Sequence, residues 1–167
     1  MLEVKIFTLY PDLFPGPLDI GIYKKARKNK IWDLKVIDIR KYSKDKHSAV
    51  DDSPFGGGSG MLLRPDVVAS ALDANVKKNE KIIYLSPKGK SFHQKEARFL
   101  SKFEKINILC GHFEGIDQRL LESRNIEEYS LGDFVLSGGE TASFVFVDAL
   151  VRLLPGVLGN KDSTKEE

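Results

Sequence analysis

The sequence predicts an α/β fold with a largely parallel sheet and flanking helices. Three observations carry that prediction. Short apolar runs recur at 2–9, 32–39, 81–85 and 106–110. Segments with helical spacing of apolar residues separate them, at 18–28, 65–76, 93–103, 116–123 and 140–154. Tight glycine turns follow the strand-like run 106–110 and precede the last helical segment. Strands that alternate with helices in this way pair in parallel and bury both sheet faces.

Each element has its own reason. In 2–9, Val4, Ile6 and Thr8 share one face and Lys5, Phe7 and Leu9 the other; mixed apolar content on both faces suits an interior strand. Tyr10-Pro11-Asp12 and Pro15-Gly16-Pro17 break it before the helix at 18–28. Residues 32–39 alternate, with Trp32, Leu34 and Val36 on one face. The stretch 40–60 is a long polar loop with four glycines among its last five residues, and loops of this length are usually functional or disordered. It reads either as a cover that settles over a bound partner or as a plain surface loop. Pro65 opens a helix in which Val67, Val68, Ala71, Leu72 and Val76 share a side. Ser86-Pro87-Lys88-Gly89 reads as a turn, 127–135 as a short extended segment, and Pro155-Gly156 as the stop of the last helix. The polar remainder, 160–167, looks like the start of a linker, and there are no internal repeats.

With 167 residues, 41% hydrophobic and 30% charged, the chain is expected to be one globular domain, here 1–159. Its apolar runs are too short to span a bilayer, and Met1-Leu2-Glu3-Val4-Lys5 does not resemble a signal peptide, so a cytoplasmic protein is expected. One cysteine excludes an intramolecular disulfide. The net charge of +2 does not by itself demand nucleic acid, but basic segments at 24–30 and 40–47 read as either solvated surface or phosphate contacts.

The chain is organised around 106–142, which holds two glycine turns, Gly111 to Gly115 and Gly132 to Gly139. A strand that feeds a glycine turn and a helix leaves backbone N–H groups at the strand's C-terminal end, where open α/β sheets bind ligands. This stretch is therefore expected to bind a nucleoside-like ligand through main chain. Other patterns fail. Gly89-Lys90-Ser91 lacks the P-loop's first glycine, since Tyr84 stands there, and Met61 occupies the third site of a dinucleotide fingerprint begun at Gly56. Cys110 and His112 could face together, but a buried inert cysteine is the simpler reading. His47 and His93 have no partners at metal-ligand spacing, so no metal site is assigned. Asp117 and Asp133 read as helix caps, Glu114 as a cap or a ligand contact. Arg152, in an otherwise apolar helix end, reads either as a cation on the helix dipole or as a guanidinium that holds a substrate oxygen.

Five spaced runs carry a resemblance across essentially the whole chain. They are Val50-Asp51-Asp52-x-Pro54-x-Gly56-Gly57-Gly58-x-Gly60-Met61, Tyr84-Leu85-Ser86-Pro87, Cys110-Gly111-x-x-Glu114-Gly115-Ile116-Asp117, Gly132-Asp133-x-Val135-Leu136-Ser137-Gly138-Gly139-Glu140 and Pro155-Gly156-Val157-Leu158-Gly159. Together they resemble the bacterial tRNA (guanine-N1-)-methyltransferases of the SPOUT class. The resemblance implies a deep trefoil knot near the C-terminal end, an exception to unknotted chains. It implies a homodimer with sites at the subunit interface and S-adenosyl-L-methionine as the methyl donor, with Mg2+ as a further candidate for activity. The implied acceptor is N1 of the guanosine 3′ of the anticodon (position 37) in tRNA, preceded by another guanosine. Other RNA methyltransferases of the class, acting on ribose or rRNA, and a non-catalytic ligand-binding or dimerisation module are the alternatives.

The resemblance also implies roles for individual residues. Donor contacts fall on Tyr84, Leu85, Ser86 and Pro87, on Gly111, Phe113, Glu114 and Gly115, and on Ser130, Leu131, Gly132, Asp133, Phe134, Val135, Leu136, Gly138 and Gly139. Contacts to tRNA fall on Asp51, Gly57, Gly58, Gly60, His112 and Arg152. Arg152 matches the family's donor to guanine O6, and the place of the family's aspartate base falls at Glu167 or just beyond it, so either Glu167 serves as the base or the base is a residue after it. His112 stands where the family often has arginine, Phe113 and Phe134 where it often has tyrosine, and Ala142 where it has proline. The family's C-terminal tRNA-binding domain is not among these residues, so the chain is expected to be the N-terminal part of such an enzyme.

Overall fold

The computed structural model describes residues 1–54 and 60–159. Its strands are β1 (Leu2–Thr8), β2 (Trp32–Asp38), β3 (Asp51–Asp52), β4 (Leu62–Leu63), β5 (Lys81–Ser91), β6 (Lys105–Leu109) and β7 (Glu127–Ser130). Its α-helices are α1 (Gly21–Lys28), α2 (Pro65–Asn75), α3 (Gln94–Leu100), α4 (Gln118–Ser123) and α5 (Gly139–Val151). Five strands form one sheet in the order β2-β1-β6-β5-β7, and every pair in it is parallel. The expected α/β class and largely parallel sheet are therefore present.

The two faces of the sheet separate the core into two clusters. Val4 and Ile6 of β1, Ile83 and Leu85 of β5 and Ile106 and Ile108 of β6 pack with Ala97 and Leu100 of α3 and with Phe146, Val147 and Leu150 of α5. Phe7, Tyr84 and Leu109 face the other way, onto Val67, Val68, Ala71 and Leu72 of α2 and Leu120 and Leu121 of α4. This is the face assignment that the alternation of β1 predicts, and the strand lies between β2 and β6 as an interior strand should. Each large side chain fully buried here contributes about 1.5–3 kcal/mol. Trp32 is fully buried at the start of the edge strand β2, and its indole N–H donates to the Tyr23 carbonyl at 3.0 Å.

Several element boundaries differ from the sequence reading. The helix expected at 18–28 starts at Gly21, because Gly16–Asp19 forms a separate 3-10 turn and Ile20 between them is extended. The turn expected at 86–89 is a bulge inside β5: Leu85 and Lys90 both lie opposite Tyr129, so the residues between them are pushed out of the ladder. The helix expected from 116 begins at Gln118, with Asp117 as its N-cap accepting the Arg119 N–H. Asp133 caps no helix; the N-cap of α5 is Gly138. The loop 40–60 also contains an unexpected element, since Asp51–Asp52 pairs antiparallel with Leu62–Leu63 and ties the loop's two ends together. The basic segment 24–30 is partly neutralised, with Lys24 paired to Asp19 and Arg27 to Asp19 and Asp33.

Candidate active site

The bulge of β5 and the C-terminal ends of β6 and β7 open onto one cavity of about 290 Å³. Three segments build it. The β5 bulge supplies Tyr84 to Lys88, the first glycine turn supplies Gly111 to Ile116, and the segment after β7 supplies Leu131, Gly132 and Phe134 to Gly139. Glu128, Tyr129, Gln118, Leu121 and Ala142 complete the wall.

Backbone contact joins the two glycine turns. Gly139 donates its N–H to the Gly111 carbonyl at 2.9 Å. A Cβ on Gly139 would stand 2.7 Å from the Cys110 Cα, and one on Gly111 would stand 2.6 Å from the Tyr84 ring. The strand that follows the long loop is strapped to the same place. Glu114 donates its N–H to the Met61 carbonyl at 2.9 Å, and Leu63 its N–H to the Gly115 carbonyl at 3.1 Å.

Two carboxylates, Glu114 and Glu128, line the cavity. Tyr84 of β5 lies opposite Glu128 of β7, and burial, reinforced by the charge of Glu128, pushes its phenol up to about 12. Cys110 lies beneath the cavity, fully buried, 3.2 Å from the Ser143 hydroxyl. Burial, chiefly, pushes its thiol far up, so it is no nucleophile. His112 turns away from it. Its Nε2 lies 2.7 Å from Glu140 Oε2, and Glu140 is only 3% exposed. Among the described residues, no group of three or more His, Cys, Asp or Glu side chains is arranged to hold a metal ion.

The expected donor contacts Tyr84, Leu85, Ser86, Pro87, Gly111, Phe113, Glu114, Gly115, Leu131, Gly132, Phe134, Val135, Leu136, Gly138 and Gly139 all line this cavity, as does His112. Ser130 and Asp133 do not. The Ser130 hydroxyl instead closes the turn after β7 by donating to the Gly132 carbonyl. Asp51 lies in β3, and Gly60 packs against the Glu114 side chain. Gly57, Gly58 and Glu167 lie outside the described residues. Arg152 is the C-cap of α5, about 20 Å along the helix from Gly139 by the rise per residue. Its charge acts there on Tyr23, which burial and Asp148 push up to about 12. Arg152 and the cavity are therefore apart within one chain.

The sequence reading missed Glu128 and Glu140. Glu128 follows Glu127, and two consecutive glutamates read as solvated charge; in the structure the Glu127 carboxylate pairs with Lys81 and Lys90 while Glu128 lines the cavity. Glu140 entered only as the last residue of one of the spaced runs; its buried hydrogen-bond partner, Thr8, lies 132 residues away.

The model of the family described as tRNA (Guanine-1)-methyltransferase TrmD matches residues 2–167. The chain belongs to this family. A curated tRNA (guanine-N(1)-)-methyltransferase of Pelagibacter ubique (strain HTCC1062) is 62% identical over 167 residues, spanning 100% of this chain and 73% of the relative. That of Wolbachia pipientis wMel is 52% identical over 167 residues, with 99% and 71% covered. That of Rhodospirillum rubrum is 46% identical over 166 residues, with 99% and 70% covered. As a family member, the chain is a methyltransferase of the tRNA-modifying kind, and no helix among its described residues is long and apolar enough to cross a membrane.

Proposed function

We propose that this chain transfers a methyl group from S-adenosyl-L-methionine to N1 of guanosine 37 in tRNA, as one half of a homodimer. The observation that carries the reading is the cavity at the β5 bulge and the ends of β6 and β7, walled by the backbone of two hydrogen-bonded glycine turns. The residues there fit the donor: Leu85, Leu131, Leu136 and Ala142 suit an adenine face, the glycine-turn backbone lining the wall suits close approach, and Glu114 and Glu128 suit its cationic sulfonium and ammonium groups. When bound, S-adenosyl-L-methionine supplies a methyl carbon that leaves its sulfur and bonds to N1, while N1 loses its proton. The bulge, Gly111 to Gly115, and the segment from Leu131 to Gly139 hold the donor. Arg152 donates to guanine O6 as negative charge develops there, and a carboxylate, Glu167 or one just beyond it, takes the N1 proton.

The distance of Arg152 from the cavity in one chain supports a site completed by a second copy. The exposed side chains of Phe134, Val135 and Leu136 at the cavity mouth support the same arrangement. The strand order, with β7 returning beside β5 after β6 has passed to its other side, supports the trefoil threading. A tRNA substrate supports action in the cytoplasm. Within this reading 160–167 begins a linker to the tRNA-binding part of the enzyme.

Calorimetric titration with S-adenosyl-L-methionine, followed by nucleoside analysis of tRNA incubated with the donor, tests the proposal. Saturable binding near one site per chain and 1-methylguanosine as product are expected. A 2′-O-methylated nucleotide as product would replace it with another RNA methyltransferase. No binding by a folded, dimeric sample would overturn it.

A further inference from the structure

We propose that Glu140 is a positioning residue: it fixes His112 with the proton on Nε2, and so presents Nδ1 as a hydrogen-bond acceptor to the incoming RNA nucleotide. The inference rests on the RNA-methyltransferase reading for what Nδ1 meets, but not for the tautomer.

The tautomer follows from a chain of buried donors and acceptors. Tyr10 donates its backbone N–H to Thr8 Oγ1 at 2.9 Å. Thr8 is fully buried, so its one hydroxyl proton is left for Glu140 Oε1, 2.5 Å away. Glu140 Oε1 is therefore an acceptor. Glu140 also sits in the first turn of α5, where the helix dipole favours a carboxylate. Its second oxygen, Oε2, then accepts from Nε2–H of His112 at 2.7 Å. With that proton committed, Nδ1 keeps its lone pair whenever the ring is neutral.

The surroundings are shaped around this pair. A Cβ on Gly138 would stand 2.2 Å from His112 Cε1 and 2.7 Å from Glu140 Oε2, so any larger residue there would displace both side chains. The edge of the Tyr10 ring packs on the imidazole with centroids 4.9 Å apart and holds its tilt. His112 itself lines the cavity. The N2 amino group of guanine and the ribose 2′-OH are donors that a fixed acceptor nitrogen at this wall can meet.

Glu140→Gln inverts the arrangement without changing its shape. The Thr8 hydroxyl keeps the amide oxygen as its acceptor, the amide NH2 faces His112 Nε2, and the ring proton must move to Nδ1. The test combines 15N NMR of the imidazole with donor titration and steady-state tRNA methylation. The expected result is an Nε2–H ring in the wild type and an Nδ1–H ring in Glu140→Gln. Donor affinity is unchanged, while kcat/KM for tRNA falls about tenfold or more, the scale of one lost hydrogen bond. His112→Ala shows the same loss, and adding Glu140→Gln to it costs nothing further. A wild-type ring protonated on Nδ1, whether alone or together with Nε2, or averaged between tautomers, overturns the inference. A switched tautomer with full methylation overturns the positioning role. If Glu140→Gln fails to fold, full methylation by His112→Ala overturns it equally. A wild type that binds donor and shows the Nε2–H ring but methylates no tRNA overturns the RNA contact together with the methyltransferase reading, while the tautomer assignment stands.

Discussion

The N–H of Gly139 donates to the carbonyl of Gly111 at 2.9 Å, joining the start of α5 to the turn after β6. The contact is possible only because neither residue has a side chain. A Cβ on Gly139 would meet the Cys110 Cα at 2.7 Å and the Gly111 nitrogen at 2.9 Å, both backbone atoms that cannot rotate away. Gly139→Val therefore separates the two turns that wall the cavity. Donor binding is expected to be lost, with a fall in stability of about 1–3 kcal/mol, the cost of overpacking a filled site. Titration calorimetry and denaturant unfolding read the two effects, and unchanged donor affinity would remove the paired turns from the site.

Gly60 tests the strap from the long loop. It adopts φ +99, and a Cβ there would stand 2.4 Å from Glu114 Cγ. Gly60→Ala is expected to lower stability by about 1–2 kcal/mol through backbone strain. It should also weaken donor binding by pushing the Glu114 side chain out of place. In a Glu114→Ala background the strain remains and the second effect disappears. A thermodynamic cycle in donor affinity measures this coupling, and no coupling would mean that Gly60 acts on stability alone.

Much of this architecture was legible in the sequence, for physical reasons. The faces of β1, the burial of the apolar side of α2 and the glycine turns at the strand ends follow from local periodicity and backbone freedom. What was not legible depended on distant partners. Ser86 to Gly89 carries turn residues, yet these form a bulge because β7 pairs with β5 on both sides of them. The Asp51–Asp52 pairing needs Leu62–Leu63, which neither short segment announces. His112 was weighed against Cys110, its neighbour in sequence, while its partner Glu140 comes from α5 and is held by Thr8 of β1.

Asp117 gives a pH-dependent prediction. Its Oδ1 accepts the Arg119 N–H at 2.9 Å, and the Arg119 guanidinium donates to both of its oxygens. That guanidinium, with the backbone N–H, holds the carboxyl down to about 2. The folded value lies below that of the unfolded chain, roughly 3.9. The stabilisation is therefore complete above the unfolded value and lost as pH falls through about 2. Asp117→Ala is expected to cost about 1 kcal/mol at neutral pH as a lost helix cap. The difference between variant and wild type should shrink as the pH is taken from about 4 towards 2. Urea unfolding across that range measures it, and a pH-independent difference would mean that the ion pair contributes nothing.

Arg152 decides whether the site needs two copies. Its place at the C-terminal end of α5 keeps it away from the cavity of its own chain. Arg152→Ala should leave donor affinity nearly intact and lower turnover about 10²-fold or more, as for loss of a transition-state donor. Gly139→Val should be inactive for the opposite reason, lacking the donor pocket but keeping the arginine. If each site combines the pocket of one chain with the arginine of the other, mixing the two inactive variants under conditions that exchange subunits restores part of the activity. One site of each mixed dimer then has an intact pocket facing an intact Arg152, and the other has neither. Exchange confirmed by mass-labelled subunits, with no recovery of methyl transfer, would show that pocket and arginine do not work across an interface. A large loss of donor affinity in Arg152→Ala alone would instead place the guanidinium on the donor.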